Sequence, residues 1–428
     1  MKTLLIFAAL LTLCFSLLTS RPAAADEPPA VERITALIDQ IQKKYTPDKT
    51  TAVFQVKLGQ DSNTAEVEST DPAAIAEFER RLKADNITLA LIPRLLPAKE
   101  LNGKVFGVAT LSVCNNRTAP ANAAEMATQM LLGTPVEVLK RERGYFLVRT
   151  PDRYLAWTDD DSIAPMDSAA FQQWKRAEKV VFVAEYGHSY TQPSAVSPRV
   201  SDLVAGNILE LLETTGDFLK VRYPDERLAY IPASQTMLYS QWLSRRNPDA
   251  DTIINAAKMM LGVPYLWGGT SNKGVDCSGF TKTAFYQHGI ILPRDASQQA
   301  AVGVSVDITE NGAVSTEKCV RNLIPGDLLF FGRARQQGGA PRISHTALYL
   351  GKGEFIQAAG QVRISSLLAD APNYDEVRTR TLLSARRVLT AVGTPDITRM
   401  DHHPLYRAQA PDQANARPLP DRYAPQGQ

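Results

Sequence analysis

The chain has 428 residues, of which 44% are hydrophobic and 21% are charged, and its formal net charge is +2. This is the composition of an ordinary globular protein, and the length predicts about three domains. A nearly neutral chain without a run of basic residues gives no indication of a nucleic-acid partner, so we expect none.

The first residues predict export. Lys2 is followed by the apolar run TLLIFAALLTLCFSLL and by the small residues before Asp26. We interpret residues 1–25 as a secretory signal peptide that is cleaved after Ala25. A retained membrane anchor is the alternative, although the run is at the short end for a span. No later segment has about 18 consecutive apolar residues. We therefore expect a mature monomer without a membrane anchor, in the periplasm or outside the cell.

Cysteine usage excludes a disulfide scaffold. After removal of the signal peptide the chain keeps Cys114, Cys277 and Cys319. An odd number in an exported protein leaves at least one thiol free. There is no CxxC pair and no Cys/His spacing typical of zinc, so we expect no metal or other cofactor.

Residues 26–104 predict a small α/β module. Residues 31–44 have helical spacing of apolar residues, and two alternating strand-like runs follow around a turn at QDSN. Asp71 and Pro72 are an N-cap and a first helical residue. The run ITLALIPRLLP predicts a further strand. We find no catalytic motif in this module and expect it to have a stabilising or docking role.

An internal repeat occupies the next part of the chain. GTPVEVLKRERGYFLVRTPDRYLAW begins at Gly133, and GNILELLETTGDFLKVRYPDERLAY begins at Gly206, with an offset of 72 or 73 residues. A repeat of this length indicates a duplicated domain. We assign residues 105–168 and 169–244 to two small, all-β, barrel-like domains.

The last third of the chain predicts an α+β domain. From residue 245 to 392 a helical half precedes a β-rich half. Residues 393–428 are rich in Pro, Ala, Gln and Asp, and we expect an irregular tail there that includes solvated His402 and His403.

The stretch GVDCSGFTKTAF contains the most distinctive cysteine of the chain. Asp276 or the residue before it caps a helix, so Cys277 falls in the first turn, where the positive end of the helix dipole favours an anion. This position predicts a lowered thiol pKa. Gly279 allows another backbone segment to approach closely. A buried structural cysteine is the alternative interpretation.

A nucleophilic thiol needs a base, and His345 is the remaining candidate among five histidines. His288 lies near the end of the nucleophile's own helix and is too far away. Gln357, twelve residues after His345, faces the same side of a hairpin only if the loop has an odd number of residues. A three-residue loop at Gly351–Lys352–Gly353 meets this condition.

The motifs PYLWGG, DCSGF, PRDASQQ, PGDLLFF and SHTALYLGKGEFIQA occur in this order between about residues 250 and 390. Together they resemble the NlpC/P60 family of papain-like cysteine peptidases. The repeat resembles bacterial SH3 domains, and the combination resembles γ-D-glutamyl-L-diamino acid endopeptidases of the dipeptidyl-peptidase VI type. The resemblance implies a multidomain chain with a papain-like α+β catalytic domain, two SH3-like β-barrels and the small N-terminal α/β module.

The resemblance also implies catalytic roles. Cys277 is the nucleophile, His345 the base and Gln357 the residue that orients His345. The Tyr265 hydroxyl and the Cys277 backbone N–H hold the oxyanion. The family's third position is often a histidine, so Gln357 puts the rate rather than the reaction class in doubt.

Substrate contacts are implied for Trp267, Asp276, Ser278, Arg294 and Asp295. An ion pair between Arg294 and Asp295 is the alternative to direct substrate contact by Arg294. In the first SH3-like domain, Glu125 and Tyr154 match residues that bind a free L-Ala amine. For Glu125, a solvated surface carboxylate is the alternative.

These residues predict a hydrolase that cleaves the γ-D-Glu–diamino acid amide in peptidoglycan-derived peptides with a free N-terminal L-Ala. GxSxG, HExxH and GxxxxGK[ST] motifs are absent from the sequence. A non-catalytic peptidoglycan-binding protein and an acyltransferase on the same fold are the alternatives.

Overall fold

The computed structural model describes residues 30–60, 63–244, 249–334 and 341–408. The predicted signal peptide and residues 409–428 of the predicted tail lie outside the described residues. Of the helices in the described part, none is long and apolar enough to span a membrane.

The N-terminal part is a three-stranded sheet with two helices. Asp71 caps the second helix through a hydrogen bond of 2.8 Å from the Ala73 N–H, with Pro72 at the first helical position, as the sequence predicts. The first two strands are antiparallel, and the third runs parallel to the second. The elements are α1 (Ala30–Tyr45), β1 (Phe54–Leu58), β2 (Thr64–Ser69), α2 (Pro72–Ala84) and β3 (Ala90–Leu95).

The repeat region forms two seven-stranded sheets. The strands of the first are β4 (Phe106–Ala109), β5 (Val113–Arg117), β6 (Met126–Leu131), β7 (Pro135–Glu142), β8 (Tyr145–Arg149), β9 (Leu155–Asp159) and β10 (Ile163–Met166). After helix α3 (Ser168–Arg176), the strands of the second are β11 (Lys179–Phe182), β12 (Tyr186–Tyr190), β13 (Arg199–Val204), β14 (Ile208–Thr215), β15 (Phe218–Arg222), β16 (Leu228–Pro232) and β17 (Thr236–Leu238).

The two sheets share one topology. The first has the strand order β10-β4-β7-β8-β9-β5-β6, and the second has the order β17-β11-β14-β15-β16-β12-β13. Counted within each sheet, both orders are the same, which agrees with the duplication inferred from the repeat. The described strands leave both sheets open, and a closed barrel is not found among them. The closed-barrel part of the expectation therefore lacks support.

The C-terminal unit places helices against a six-stranded antiparallel sheet. Its helices are α5 (Ala250–Met259), α6 (Cys277–Tyr286), α7 (Ala296–Gln299), α8 (Thr316–Asn322) and α9 (Glu376–Thr381), and the short helix α4 (Tyr239–Leu243) precedes the unit. Phe280, Ala284 and Phe285 of α6 are fully buried in the core, as the apolar spacing predicts.

The strands of the large sheet are β21 (Val304–Val306), β24 (Leu328–Arg333), β25 (Arg342–Gly351), β26 (Glu354–Ala359), β27 (Gln361–Ser366) and β28 (Leu382–Arg387). Their order across the sheet is β21-β28-β24-β25-β26-β27. The remaining strands are β18 (Thr270–Ser271), β19 (Gly274–Val275), β20 (Ile290–Ile291), β22 (Thr309–Glu310), β23 (Ala313–Val314) and β29 (Thr398–Arg399).

The first part of the predicted irregular tail, up to residue 408, consists mostly of turns, but it is docked on the rest of the protein. Strand β29 pairs with β20, and Tyr406 is buried. His403 donates a hydrogen bond of 3.0 Å from Nε2 to the carbonyl oxygen of Pro151, so it is not fully solvated. The few apolar residues of this segment are enough to dock it, although its composition is polar.

The C-terminal unit packs on both sheets of the repeat. The Lys282 ammonium of α6 forms a 2.5 Å ion pair with the buried Asp152 of the first sheet unit. The Tyr286 hydroxyl donates a hydrogen bond of 3.2 Å to the carbonyl oxygen of Gly206 in the second. One helix therefore contacts both copies of the repeat.

We predict that Gly133→Ala destabilises the protein more than Gly144→Ala does. Both glycines have positive φ values, +81° and +80°, which cost a side chain about 1–2 kcal/mol. At Gly133 an added Cβ would also overlap the carbonyl oxygen of Ile208 in the second sheet, whereas nothing lies within 4 Å of the corresponding position at Gly144. Thermal unfolding of the two variants measures the difference. Equal shifts in Tm would contradict the close packing of the two repeat copies.

Candidate active site

Helix α6 begins at Cys277, and its start is shaped by two neighbours. Asp276 is the N-cap, and its Oδ1 accepts a hydrogen bond of 2.7 Å from the Gly279 N–H. A Cβ at Gly279 would overlap the carbonyl oxygen of Gly269, so only glycine permits this approach. The predicted cap and the predicted close backbone contact are both found.

The surroundings of the Cys277 thiol correct the expectation of a low pKa. The side chain is 7% exposed, and burial raises the pKa of the thiol, with a further upward contribution from the Asp276 carboxylate. Hydrogen bonds from the backbone N–H groups of Thr346 and Ser278 lower the pKa but do not reverse the shift. Desolvation therefore outweighs the helix start, and the free protein holds a neutral thiol at neutral pH.

The strand that carries His345 contacts the thiol, because the N–H of the neighbouring Thr346 donates a hydrogen bond to the Cys277 sulfur. On β25, His345 pairs with Phe331 of β24, immediately beside a β-bulge. The centroids of the His345 imidazole and the Phe331 ring are 5.6 Å apart. Burial, together with the nearby Arg378 guanidinium, lowers the pKa of His345 to about 3. The imidazole is therefore neutral and can accept a proton.

His345 and Gln357 meet, as the hairpin argument requires. The His345 Nε2 and the Gln357 Oε1 are 2.7 Å apart. The loop differs from the prediction, because Lys352 and Gly353 form a two-residue turn in which both φ values are positive, 52° and 82°. A bulge between Tyr349 and Gly351 supplies the extra residue that keeps the two side chains on one face.

The Tyr265 hydroxyl interacts electrostatically with Cys277. Burial, together with the charge of a Cys277 thiolate, raises the pKa of Tyr265 to about 12. The hydroxyl is therefore protonated at neutral pH. This geometry is consistent with an oxyanion donor, although that role stays a prediction.

Arg294 has a different ion-pair partner from the expected one. Its Nη2 lies 2.5 Å from the Asp276 Oδ2, and its Nη1 donates a hydrogen bond of 3.0 Å to Ser278. Its Nε donates to the Thr128 hydroxyl of β6 at 2.9 Å. The side chain is 2% exposed, so it lies beneath the cleft and braces Asp276. Direct contact between Arg294 and a substrate stays a prediction.

Trp267 and Glu125 join two units at the mouth of the cleft. Trp267 is 61% exposed, and its Nε1–H donates a hydrogen bond of 2.6 Å to the exposed Glu125 carboxylate, which lies just before β6. The first sheet unit therefore reaches the wall of the site.

Tyr154 and Asp295 interact electrostatically between these units. Burial raises the pKa of Tyr154, and the Asp295 carboxylate raises it further. Burial also raises the pKa of Asp295, which caps α7. Between Glu125 and Tyr154 the described residues show no hydrogen bond, so the two predicted amine ligands are not joined directly.

Comparison with known proteins identifies the domain that holds this site. The sequence profile of the NlpC/P60 family matches residues 262–381. Residues 262–381 form an NlpC/P60 domain. The profile of the bacterial dipeptidyl-peptidase SH3 domain matches residues 116–163, within the first sheet. The described core of the site, from Tyr265 to Arg378, thus falls inside the NlpC/P60 domain.

Two similar proteins and one solved structure match more than half of this chain. A Bacillus cereus γ-D-glutamyl-L-lysine dipeptidyl-peptidase is 27% identical over 270 residues, which are 60% of this chain and 74% of that protein. Dipeptidyl-peptidase 6 of Lysinibacillus sphaericus is 26% identical over 278 residues, 61% of this chain and 92% of that protein. The crystal structure of a Bacillus cereus NlpC/P60 family protein matches with a TM-score of 0.54 and 26% identity, covering 66% of this chain and 99% of that one.

The sequence analysis missed a contribution of the N-terminal module to the NlpC/P60 domain. Gln298 donates from Nε2 to the Asp48 carboxylate at 2.6 Å and to the Thr50 hydroxyl at 3.0 Å. Its Oε1 accepts the Asp295 N–H at 3.0 Å in a capping box. The spacing of Asp295 and Gln298 could have revealed the capping box. Nothing in the local sequence indicates that Asp48 lies beside it.

Asp375 and Arg378, both close to Gln357, were also missed. Gln357 Nε2 donates to the Asp375 carboxylate at 3.0 Å, and Arg378 Nε donates to Gln357 Oε1 at 3.1 Å. The two residues lie at the start of α9, a helix of six residues whose charged sequence resembles a surface segment. No sequence motif marks them.

Metal ligands and disulfides do not contribute in the described part of the chain. No group of three His, Cys, Asp or Glu side chains there could hold a metal ion. Cys114, Cys277 and Cys319 are free, and burial raises the pKa of Cys114 to about 12 and that of Cys319 to about 11.

We predict that alkylation of Cys277 is slow at neutral pH. The thiolate is the reactive form, and a thiol whose pKa lies above its ordinary value of 9.0 forms it only as the pH rises past that value. The rate constant for iodoacetamide, measured from pH 6 to 10, should therefore still increase above pH 9. The variant Cys277→Ala measures the background from Cys114 and Cys319. A rate that reaches its plateau by pH 7 would show a stabilised thiolate and contradict the assignment.

Proposed function

We propose that this chain is an exported cysteine peptidase that hydrolyses the γ-D-Glu–diamino acid amide of peptidoglycan-derived peptides with a free N-terminal L-Ala. The observation that carries the proposal is the arrangement of Cys277, His345 and Gln357. The thiol lies beside the strand of His345, and the other side of the imidazole is bonded to Gln357. This is the geometry of a nucleophile, a base and an orienting group.

The proposed reaction begins with proton transfer. With Nε2–H directed at Gln357, the His345 Nδ1 is the nitrogen left to accept the proton of the Cys277 thiol. The sulfur then attacks the γ-carbonyl carbon of D-Glu. Because both groups start neutral, the ion pair forms only as the reaction proceeds, inside a site from which burial has removed most water.

The second half of the reaction releases two products. The Tyr265 hydroxyl and the Cys277 N–H stabilise the oxyanion of the tetrahedral intermediate. His345 returns its proton to the diamino acid nitrogen as the C–N bond breaks, which leaves a thioester on Cys277. A water molecule then attacks the thioester carbon while His345 accepts its proton, and the dipeptide acid and the free thiol are formed.

We propose that the free L-Ala amine binds at the end of the cleft between the first sheet unit and the NlpC/P60 domain. Glu125 is exposed there and contacts Trp267, while Asp295 lies in range of Tyr154. Carboxylates at this end favour an ammonium group electrostatically. The names of the two dipeptidyl-peptidase relatives support a substrate of this class.

Hydrolysis of L-Ala-γ-D-Glu-meso-diaminopimelate tests the proposal. We expect the wild-type protein to release L-Ala-D-Glu and free diamino acid, and Cys277→Ala to release neither, because the nucleophile is lost. Chromatography of the products gives the measurement, and Cys114→Ala, which removes a buried thiol from the core of the first sheet unit, is the matched control. Undiminished hydrolysis by Cys277→Ala would exclude the mechanism. Transfer of the acyl group to an added amine, instead of hydrolysis, would identify an acyltransferase, and binding without turnover would identify a binding protein.

Acetylation of the L-Ala amine tests whether the carboxylates at this end of the cleft recognise the ammonium group. We expect the acetylated peptide to be cleaved at least roughly tenfold more slowly, since a buried or half-buried charged hydrogen bond contributes about 1.5–3 kcal/mol. Glu125→Gln keeps an acceptor for Trp267 but removes the charge, so it should raise KM for the free amine and not for the acetylated peptide. Equal effects on both peptides would refute amine recognition by Glu125.

Asp48 provides a test of the N-terminal module. Loss of its hydrogen bond frees Gln298, which braces Asp295, so Asp48→Ala should raise KM for the free-amine peptide by roughly tenfold with little change in kcat. Asp39→Ala, on an exposed position of α1, is the control. A change in kcat alone, or no change, would contradict a role of Asp48 in substrate binding.

A further inference from the structure

The side-chain amide of Gln357 uses its full hydrogen-bonding capacity. Oε1 lies 2.7 Å from His345 Nε2 and 3.1 Å from Arg378 Nε. Nε2 donates to the Ser365 hydroxyl at 2.9 Å and to the Asp375 carboxylate at 3.0 Å. The side chain is fully buried, so water does not compete for these bonds. An amide has two acceptor sites and two donors, and all four are satisfied.

Two of these partners determine which way the amide points. A guanidinium only donates, and an ionised carboxylate only accepts. If the Gln357 amide were rotated by half a turn, its NH₂ would face the N–H of Arg378 and its oxygen would face the Asp375 carboxylate. Both contacts would be repulsive. Ser365 gives no such discrimination, because a hydroxyl is both donor and acceptor.

The orientation of the amide decides the tautomer of the histidine. With Oε1 towards the ring, His345 Nε2 must carry a proton to form the hydrogen bond of 2.7 Å. Nδ1 then carries the free lone pair and is the nitrogen left to accept the Cys277 proton. With the amide reversed, Nε2 would accept a hydrogen bond and Nδ1 would carry the proton, which leaves no base for the thiol.

We propose that Arg378 and Asp375 are positioning residues that clamp the Gln357 amide from both sides and thereby hold His345 in the tautomer that accepts the Cys277 proton. The inference rests on the proposed function in that it assigns Cys277 and His345 their catalytic roles. It names residues that the sequence motifs do not include, and it explains how a neutral amide serves as the third member of the site.

A neutral amide needs such a clamp more than a carboxylate does. Either oxygen of a carboxylate accepts a hydrogen bond, so its rotation leaves the tautomer unchanged. An amide offers an acceptor on one side and a donor on the other. Arg378 and Asp375 therefore keep the amide oxygen towards His345, whereas a carboxylate would present an oxygen there in either orientation.

The clamp is itself held rigidly. The Asp375 Oδ1 caps α9 by accepting the Arg378 N–H at 3.0 Å, and the Asp375 N–H donates to the Ser366 carbonyl oxygen of β27 at 3.0 Å. The Arg378 guanidinium lies 5.8 Å from the centre of the Phe331 ring, which also contacts His345. Both clamp residues are thus tied to strands on either side of the histidine.

Two substitutions that move a negative charge from Asp375 to position 357 test the proposal. In Gln357→Glu the new carboxylate accepts from His345 and Arg378 but faces the Asp375 carboxylate, so we expect kcat/KM to fall. The fall should be roughly 10- to 10²-fold, because two facing buried carboxylates repel each other or share a proton, and either change disturbs the hydrogen bond to His345. Adding Asp375→Asn supplies an amide donor to the new carboxylate and keeps a helix cap, so the double variant should recover most of the lost activity.

The histidine tautomer gives a readout that does not depend on any substrate. In protein labelled with ¹⁵N-histidine, the His345 side-chain signals should show the proton on Nε2 in the wild type and a mixture of tautomers in Arg378→Ala. The variant His345→Asn identifies the signals. Arg380→Ala is the matched control, because Arg380 lies on the same helix but is 67% exposed, and its ion pair is with Glu376 at 3.6 Å.

The outcomes separate the two proposals. An unchanged tautomer in Arg378→Ala, or a double variant no more active than Gln357→Glu alone, would overturn the clamp. A wild-type protein with the Nε2–H tautomer that cleaves no γ-D-glutamyl peptide would support the clamp and refute the proposed substrate. Thermal unfolding of each variant shows whether a loss of activity is a loss of folded protein.

Discussion

The Asp276 carboxylate is the group on which the geometry of the site depends. One oxygen caps the nucleophile helix through Gly279, and the other accepts the Gly268 N–H at 3.0 Å. Both oxygens also receive the Arg294 guanidinium. A buried ion pair is favourable only when its remaining hydrogen-bonding capacity is used, and here the backbone uses it. Because Arg294 also bonds Thr128, this one carboxylate connects the nucleophile, the cleft wall and the first sheet unit.

Burial determines the charge state of the site. Cys277 and His345 are both neutral in the free protein, because desolvation raises the pKa of the thiol and lowers that of the imidazole. The positive end of the nucleophile helix is present, but its effect is smaller than the cost of placing an anion in the protein interior. The thiolate, which is the reactive form of a cysteine, is therefore disfavoured in the free protein.

The cleft is assembled from three parts of the chain. The nucleophile and base come from the NlpC/P60 domain, and the first sheet unit adds Glu125 at the rim. The N-terminal module reaches the same region through Asp48. These contacts connect the three parts of the chain around the candidate site. The second sheet unit, in contrast, contributes packing, as the hydrogen bond between Tyr286 and Gly206 illustrates.

The parts that could be predicted from the sequence are those governed by neighbours along the chain. The caps at Asp71 and Asp276 are local, since the donor and the acceptor lie within three residues of each other. The duplicated sheets follow from the repeat, and the pairing of His345 with Gln357 follows from the two-residue period of a hairpin. Even there the turn was wrong by one residue, because a bulge has no clear sequence signal.

Segments distant in the chain decided the rest. The sequence by itself determined the duplicated sheets, the helix start at Cys277 and the meeting of His345 with Gln357, because motif spacing and periodicity carry that information. Only the tertiary structure decided the pKa of Cys277, the partner of Arg294 and the presence of Asp375 and Arg378 beside Gln357. Each of these depends on how much water is excluded around a side chain and on which charged groups lie beside it after folding. A local sequence pattern encodes neither of them.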